Sequence, residues 1–245
     1  MTAGRRRGGI TVSTTTAWYY DEFKQIGTDY DSFEEVEAYD KRMQSLRDVA
    51  GETAHILDVL GVTPESAILE IGTGTGEFAI TAAARCARVY AADISEMMLQ
   101  YARRKAESRG VDNVEFMRAG FLTFTLDEPV DAVVSQLALH HLPDYWKAVA
   151  LARIYDSLKD GGKLFLRDVV FPGDVRQSEA IFDGWIAKAE EQSGGSFRVE
   201  IERHIRDEYS TLDWIMEGLL ERAGFRIVST EGSRGLFKTY ICTKT

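Results

Sequence analysis

Residues 68–79 read Ile68-Leu69-Glu70-Ile71-Gly72-Thr73-Gly74-Thr75-Gly76-Glu77-Phe78-Ala79, an apolar run that passes through three alternating glycines into a helix-forming segment. Glycines at such a turn permit positive φ and let a ligand come close to the main chain, while the N-terminus of the following helix offers unpaired N–H groups. A turn of this kind at the carboxyl end of the first strand is where open α/β sheets bind nucleotides. Farther along, Val89-Tyr90-Ala91-Ala92-Asp93 reads as a strand ending in an acid, placed to accept hydrogen bonds from both hydroxyls of a ribose.

The pattern repeats outward from this stretch. Strands are expected over 67–71, 89–92, 114–118, 130–136 and 163–170, with helices over 77–85, 95–108 and 145–158, and such alternation implies a parallel sheet covered on both faces. Ahead of the sheet, apolar residues at Met43, Leu46, Val49, Ala50, Ile56, Leu57 and Leu60 are spaced as in amphipathic helices. Residues 17–62 are therefore expected to form a helical N-terminal cap, and 65–170 the ligand-binding core. Residues 1–16 hold Arg5, Arg6, Arg7 and a Thr run without an apolar stretch, and read as a disordered tail rather than a secretory signal. Beyond Pro172 the alternation stops. The segment 171–210 is too long for a plain connection and reads as an inserted cap, with a helix over 175–191, a flexible Ser193-Gly194-Gly195-Ser196 break and a charged run whose apolar members Phe197, Val199, Ile201 and Ile205 mostly alternate. That run reads as a strand or an edge contact in a dimer. Residues 211–245 close the single domain with a helix and a terminal hairpin over 225–229 and 236–242.

Two cofactor classes fit the glycine turn. Gly74-Thr75-Gly76-Glu77-Phe78-Ala79 satisfies the dinucleotide pattern G-x-G-x-x-A, with Asp93 downstream, so a NAD-dependent oxidoreductase is a rival. Glu70 argues against it, because a carboxylate two residues before the first glycine repels a pyrophosphate and suits a ligand with a cationic amino acid end.

The chain resembles the class I S-adenosylmethionine-dependent methyltransferases, in particular their small-molecule branch of ubiquinone and menaquinone methyltransferases. The likeness rests on Glu70 to Gly76, on Asp93, on Ser135-Gln136-Leu137-Ala138-Leu139-His140-His141-Leu142-Pro143 and on Leu158-Lys159-Asp160-Gly161-Gly162-Lys163-Leu164, in that order. It implies a Rossmann-like, doubly wound, seven-stranded, mostly parallel sheet with a reversed last strand. It implies a donor, S-adenosylmethionine, yielding S-adenosylhomocysteine, held by Glu70, Gly72, Thr73, Gly74 and Gly76 at its methionine end. Asp93 would take the ribose, Ile94 and Met98 would lie near the adenine, and Tyr39, Ser135 and Leu137 would complete the site. One departure stands out: the acid that this branch often carries after the third strand is replaced by Gly120, so Gly120 and Phe121 are expected to meet the adenine through backbone N–H groups and packing. A donor-binding regulator without turnover shares every one of these motifs.

Methyl transfer from a sulfonium is an in-line displacement in which the protein mainly positions the acceptor. The expected catalytic or positioning groups at the carboxyl edge are His140, His141 and Asp168, with His204 and Glu208 further candidates for a base. Tyr19, Tyr20, Arg167 and His204, together with His140, are expected to meet the acceptor. No His, Cys, Asp and Glu residues recur at ligand spacing, so no metal is expected.

Composition narrows the partners. The 245 residues carry 29 Lys and Arg against 39 Asp and Glu, a formal net charge of −10, which offers no general attraction for phosphate backbones or anionic lipid. Ser135-Gln136-Leu137-Ala138 also lacks the Asn/Asp-Pro-Pro-aromatic and Pro-Cys strings of base methylation. A small-molecule acceptor is expected, with no nucleic acid and no membrane, in a monomer or homodimer. No stretch reaches the roughly 18 apolar residues of a membrane span. The 2 Cys, Cys86 and Cys242, lack CxxC spacing and suit a reducing, cytoplasmic compartment.

Overall fold

A computed structural model describes residues 16–24, 33–46, 48–193, 195–233 and 236–245. Of the tail expected over residues 1–16, residues 1–15 lie outside the described residues.

The core alternates as its sequence dictates. Strands β1 (Ala67–Ile71), β2 (Arg88–Asp93), β3 (Val114–Arg118), β4 (Val130–Gln136) and β5 (Leu158–Phe171) are parallel where they pair, and they are joined by α3 (Glu77–Ala82), α4 (Glu96–Ser108) and α5 (Asp144–Ser157). Ser95 caps α4 by accepting from the Met98 N–H, so the helix begins one residue after the predicted start. Helices α1 (Phe33–Leu46) and α2 (Val49–Leu60) precede the sheet. Gly61, at φ 72°, ends α2 with its N–H turned back to the Asp58 and Leu57 carbonyls, the left-handed stop that glycine takes without a Cβ penalty.

The sheet order is β3-β2-β1-β4-β5-β8-β7, where β7 (Phe225–Ser233) and β8 (Phe237–Lys244) form the terminal hairpin and β8 runs antiparallel to β5. This is the expected doubly wound sheet with a reversed last strand. It gains an eighth, two-residue strand, β6 (Thr211–Leu212), which pairs in parallel with Val170 and Phe171. Strand alternation divides the core between two faces: Leu69 and Ile71 pack with Leu151, Ile154 and Leu220, whereas Ile68 packs with Ile56, Leu57, Phe78 and Phe165.

The inserted segment departs from expectation. The run read as a strand or dimer edge is a helix, α7 (Gly195–Asp207), which follows α6 (Ser178–Ser193). Its only buried apolar residue among those described is Ile201, while Val199 is 53% exposed, so the apparent period of two does not reflect burial. The charges carry the helical period instead, with Arg198 Nε 2.8 Å from Glu202 Oε1 at i, i+4. Helix α8 (Asp213–Arg222) then leads into the hairpin. No described helix is long and apolar enough to cross a membrane.

Candidate functional site

The glycine turn after β1 is fixed by the neighbouring strand: the N–H groups of Gly72 and Thr73 both donate to the Ala92 carbonyl, at 2.9 and 3.0 Å. Gly72, Gly74 and Gly76 have φ of 81°, 53° and 76°. A Cβ on Gly72 would lie 2.4 Å from the Ala138 methyl, and one on Gly76 would lie 2.9 Å from that of Ala102, so these two glycines serve packing. A Cβ on Gly74 would meet nothing within 4 Å, so at this residue the main chain borders open space. Below the turn, the buried Glu70 accepts from the Thr73 hydroxyl at 2.5 Å.

Asp93 closes the same corner. One carboxylate oxygen accepts from Gly74 N–H at 2.7 Å and the other from Ser95 N–H at 2.9 Å. Burial pushes this carboxyl upward against the pull of those N–H groups. Met98 is buried at the start of α4, and Ile94 packs over Gly120, its Cγ2 2.9 Å from where a Cβ would stand. The Ser135 hydroxyl is spent on the Ile71 carbonyl at 3.0 Å, tying β4 to β1. Leu137, 38% exposed, holds φ of 55° at the end of β4, the only described non-glycine residue in the left-handed region. Such strain concentrates at functional sites. Tyr39 belongs to α1, but its side chain lies outside the described residues.

One site residue came from outside the motifs. A Cβ on Gly120 would lie 2.4 Å from Glu22 Oε2, because the Glu22 carboxylate occupies that space. Glu22 is buried and accepts from Leu122 N–H at 3.1 and 3.0 Å and from the Thr123 hydroxyl at 2.7 Å. A lone acid some hundred residues upstream gives no sequence signal of this contact.

Across the carboxyl edge, His140 and His141 follow β4 in a short 3-10 turn. The buried Asp168 on β5 holds His140 twice, accepting from its main-chain N–H at 2.9 Å and facing Nδ1 at 2.5 Å. His140 Nε2 faces Glu208 Oε2 at 3.2 Å, and the same Glu208 oxygen touches His204 Nδ1. His204 Nε2 pairs with the Ser210 hydroxyl at 2.8 Å. Burial alone would lower the His140 pKa, but Asp168 and Glu208 outweigh it and raise it to about 9. His141 goes the other way, to about 4, because burial and the neighbouring His140 both oppose its charge. Its Nδ1 is buried and has no hydrogen-bond partner. His140 is thus a clamped imidazolium at neutral pH, with no lone pair for a proton.

The remaining acceptor-side expectations divide. Tyr20 reaches the histidine turn, its hydroxyl donating to the His141 carbonyl at 3.3 Å, whereas Tyr19 packs edge-on against Trp146 on α5 with ring centres 4.7 Å apart. Phe121 is buried beside Gly120. Arg167 does not join them. Adjacent to Asp168 on β5, it projects to the opposite face and lines a cavity of about 210 Å³ with Glu52, His55 and Ile56. In space, though not in sequence spacing, ligand atoms of His140, His141 and Glu208 come together, within 4.8 Å of one another.

Known proteins resemble this chain in sequence and fold. A family profile described as a methyltransferase domain matches residues 68–162. An uncharacterized methyltransferase of Geobacillus sp. strain WCH70 is 31% identical over 210 residues, spanning 85% of this chain and 90% of the relative. Another, from Geobacillus kaustophilus, is 32% identical over 208 residues, or 84% and 88% of the two chains. Among solved structures, an S-adenosylmethionine-dependent methyltransferase of Clostridium acetobutylicum superposes with a TM-score of 0.64 at 11% identity, covering 86% of this chain and 97% of that one. The glycine turn, the paired Asp93 and the reversed last strand make a Rossmann-like fold, and these relatives place the chain in a methyltransferase family.

Proposed function

We propose that the chain binds S-adenosylmethionine on the glycine turn and transfers its methyl group to a small-molecule acceptor held at the carboxyl edge of β4 and β5. The observation that carries this reading is Gly74, whose α-carbon borders open space while its two neighbouring glycines are packed shut. Glu70, buried beneath the turn, favours an ammonium-bearing ligand there over a pyrophosphate, which sets the donor above NAD. Asp93 retains acceptor capacity for a ribose beyond its bonds to Gly74 and Ser95. Glu22 supplies a buried carboxylate against Gly120, where the resemblance places an acid for the adenine amino group.

When bound, the donor supplies a methyl on a cationic sulfur that is displaced in line. The protein binds, orients and excludes water. Leu137 and His141 border the acceptor position, with Tyr20 bonded to the His141 carbonyl, and the clamped His140 is a fixed positive charge rather than a base. Small, polar acceptors suit a cap of this size, and the net charge of −10 weighs against nucleic acid. Cytoplasmic residence is supported by two buried free thiols.

Titration calorimetry with S-adenosylmethionine should show saturable binding that Gly74→Val or Asp93→Ala abolishes. Tight NADH binding without donor binding would replace this reading with an oxidoreductase. Release of S-adenosylhomocysteine in the presence of acceptor pools separates an enzyme from a donor-binding regulator.

A further inference from the structure

Three of the four histidines of the chain meet at one place, with ring centres of His140 4.4 Å from His141 and 4.8 Å from His204. We propose that His140 Nε2, His141 and Glu208 bind one divalent transition-metal ion, with Asp168 as the carboxylate behind His140.

The geometry supports this on four grounds. The ligand atoms lie within 4.8 Å of one another, and metal bonds of about 2.0–2.2 Å need separations of roughly 3–3.5 Å, a change within reach of side-chain rotation. Asp168 orients His140 by facing Nδ1, so a metal ion that displaces the Nε2 proton to solvent meets a lone pair directed at Glu208, the arrangement by which carboxylates hold metal-bound imidazoles. The buried His141 Nδ1 has no partner within the protein, which is costly for a polar atom and resolved by a ligated ion. Charge also matches. Once the metal has displaced the His140 proton, Asp144, Asp168 and Glu208 against Lys147 leave two negative charges, and a divalent ion cancels them.

The donor set selects the ion. Two imidazoles and one carboxylate suit zinc, cobalt, nickel or ferrous iron, whereas calcium and magnesium favour oxygen donors. His204 holds Glu208 in place, its far nitrogen anchored on Ser210. Three protein ligands leave an open coordination position, so the ion could take an oxygen or nitrogen of an exogenous molecule. None of this depends on donor binding.

Tag-free protein stripped with a chelator and dialysed would be titrated with zinc chloride by calorimetry and with cobalt chloride by visible absorption. One equivalent should bind, with cobalt ligand-field bands of low-symmetry nitrogen–oxygen coordination. Glu208→Gln and His141→Ala should each weaken binding at least about tenfold, and Asp168→Asn about 10–100-fold, as for loss of an outer-shell partner. His55→Ala, on a different element, should change nothing. Circular dichroism checks folding, and if His141→Ala does not fold, the near-isosteric Glu208→Gln decides alone. Absence of saturable binding overturns the site. So does binding insensitive to Glu208→Gln, or binding lost in His55→Ala.

Discussion

Gly72, Gly74 and Gly76 share positive φ, but for different reasons, and substitution separates them. At Gly72 an added Cβ meets Ala138 at 2.4 Å in a left-handed backbone, so Gly72→Ala should destabilise the fold by more than the ~1–2 kcal/mol of conformational strain alone. Gly74→Val suffers strain but no clash, so its larger effect should fall on donor binding. Denaturant midpoints and donor titration of both variants check the contrast, and equal binding loss would contradict it. Glu22 makes a second residue-scale prediction. Burial raises its folded pKa above the ordinary carboxylate value of 4.5, so the folded chain holds that proton more tightly than the unfolded one. Stability is therefore free of this penalty below the unfolded value and declines as pH rises through the folded one. Glu22→Gln should melt higher than the wild type at neutral pH and match it at about pH 4, yet bind the donor more weakly. Gly120→Asp should clash with Glu22 in the wild type and restore donor affinity in a Glu22→Ala background. Thermal melts across pH, with calorimetry of the double variant, test both halves. These contacts also show where sequence reading stopped. Glu70, Asp93 and the glycines were legible because local spacing fixes what they do, whereas Glu22 reaches Leu122 across 100 positions and nothing local marks it.

At the scale of elements, the parallel core was legible because period and burial agree there. Ile68 and Leu69 alternate between two buried faces, as their strand requires. In α7 they disagree. Phe197, Val199 and Ile201 alternate in sequence, but the helix buries Ile201 at 4% exposure and leaves Val199 in solvent. The i, i+4 pairs Arg198–Glu202 and His204–Glu208 were the readable signal of a helix and outweigh three alternating apolar residues. Truncation ranks the two apolar positions. Ile201→Ala should cost about 2–4 kcal/mol, and Val199→Ala less than about 0.5 kcal/mol. A denaturation series would show it. A larger loss at Val199 would mean that α7 packs through the other face.

For the whole molecule, the helices of the inserted cap touch the sheet through rings, Phe182 on Phe171 and Trp185 on Phe237, while its return segment is tied to the core by hydrogen bonds. The Tyr209 N–H donates to the His140 carbonyl at 2.9 Å, the Thr211 hydroxyl donates to Asp144 at 3.0 Å, and the fully buried Lys147 donates from Nζ to the Tyr209 carbonyl and to Asp144. These bonds, with β6 beside β5, set the position of Glu208 against His140. The glycine turn shares none of them, so the donor and acceptor sides should respond separately to damage here. Lys147→Met keeps the apolar stem but removes the ammonium, leaving the Tyr209 carbonyl without its side-chain donor. Hydrogen exchange over 195–211 should accelerate, and the acceptor KM should rise while donor affinity and exchange over 67–82 stay unchanged. If donor affinity falls in parallel, the two sides form one cooperative unit, and the division between a donor-binding sheet and an acceptor-holding cap fails with it.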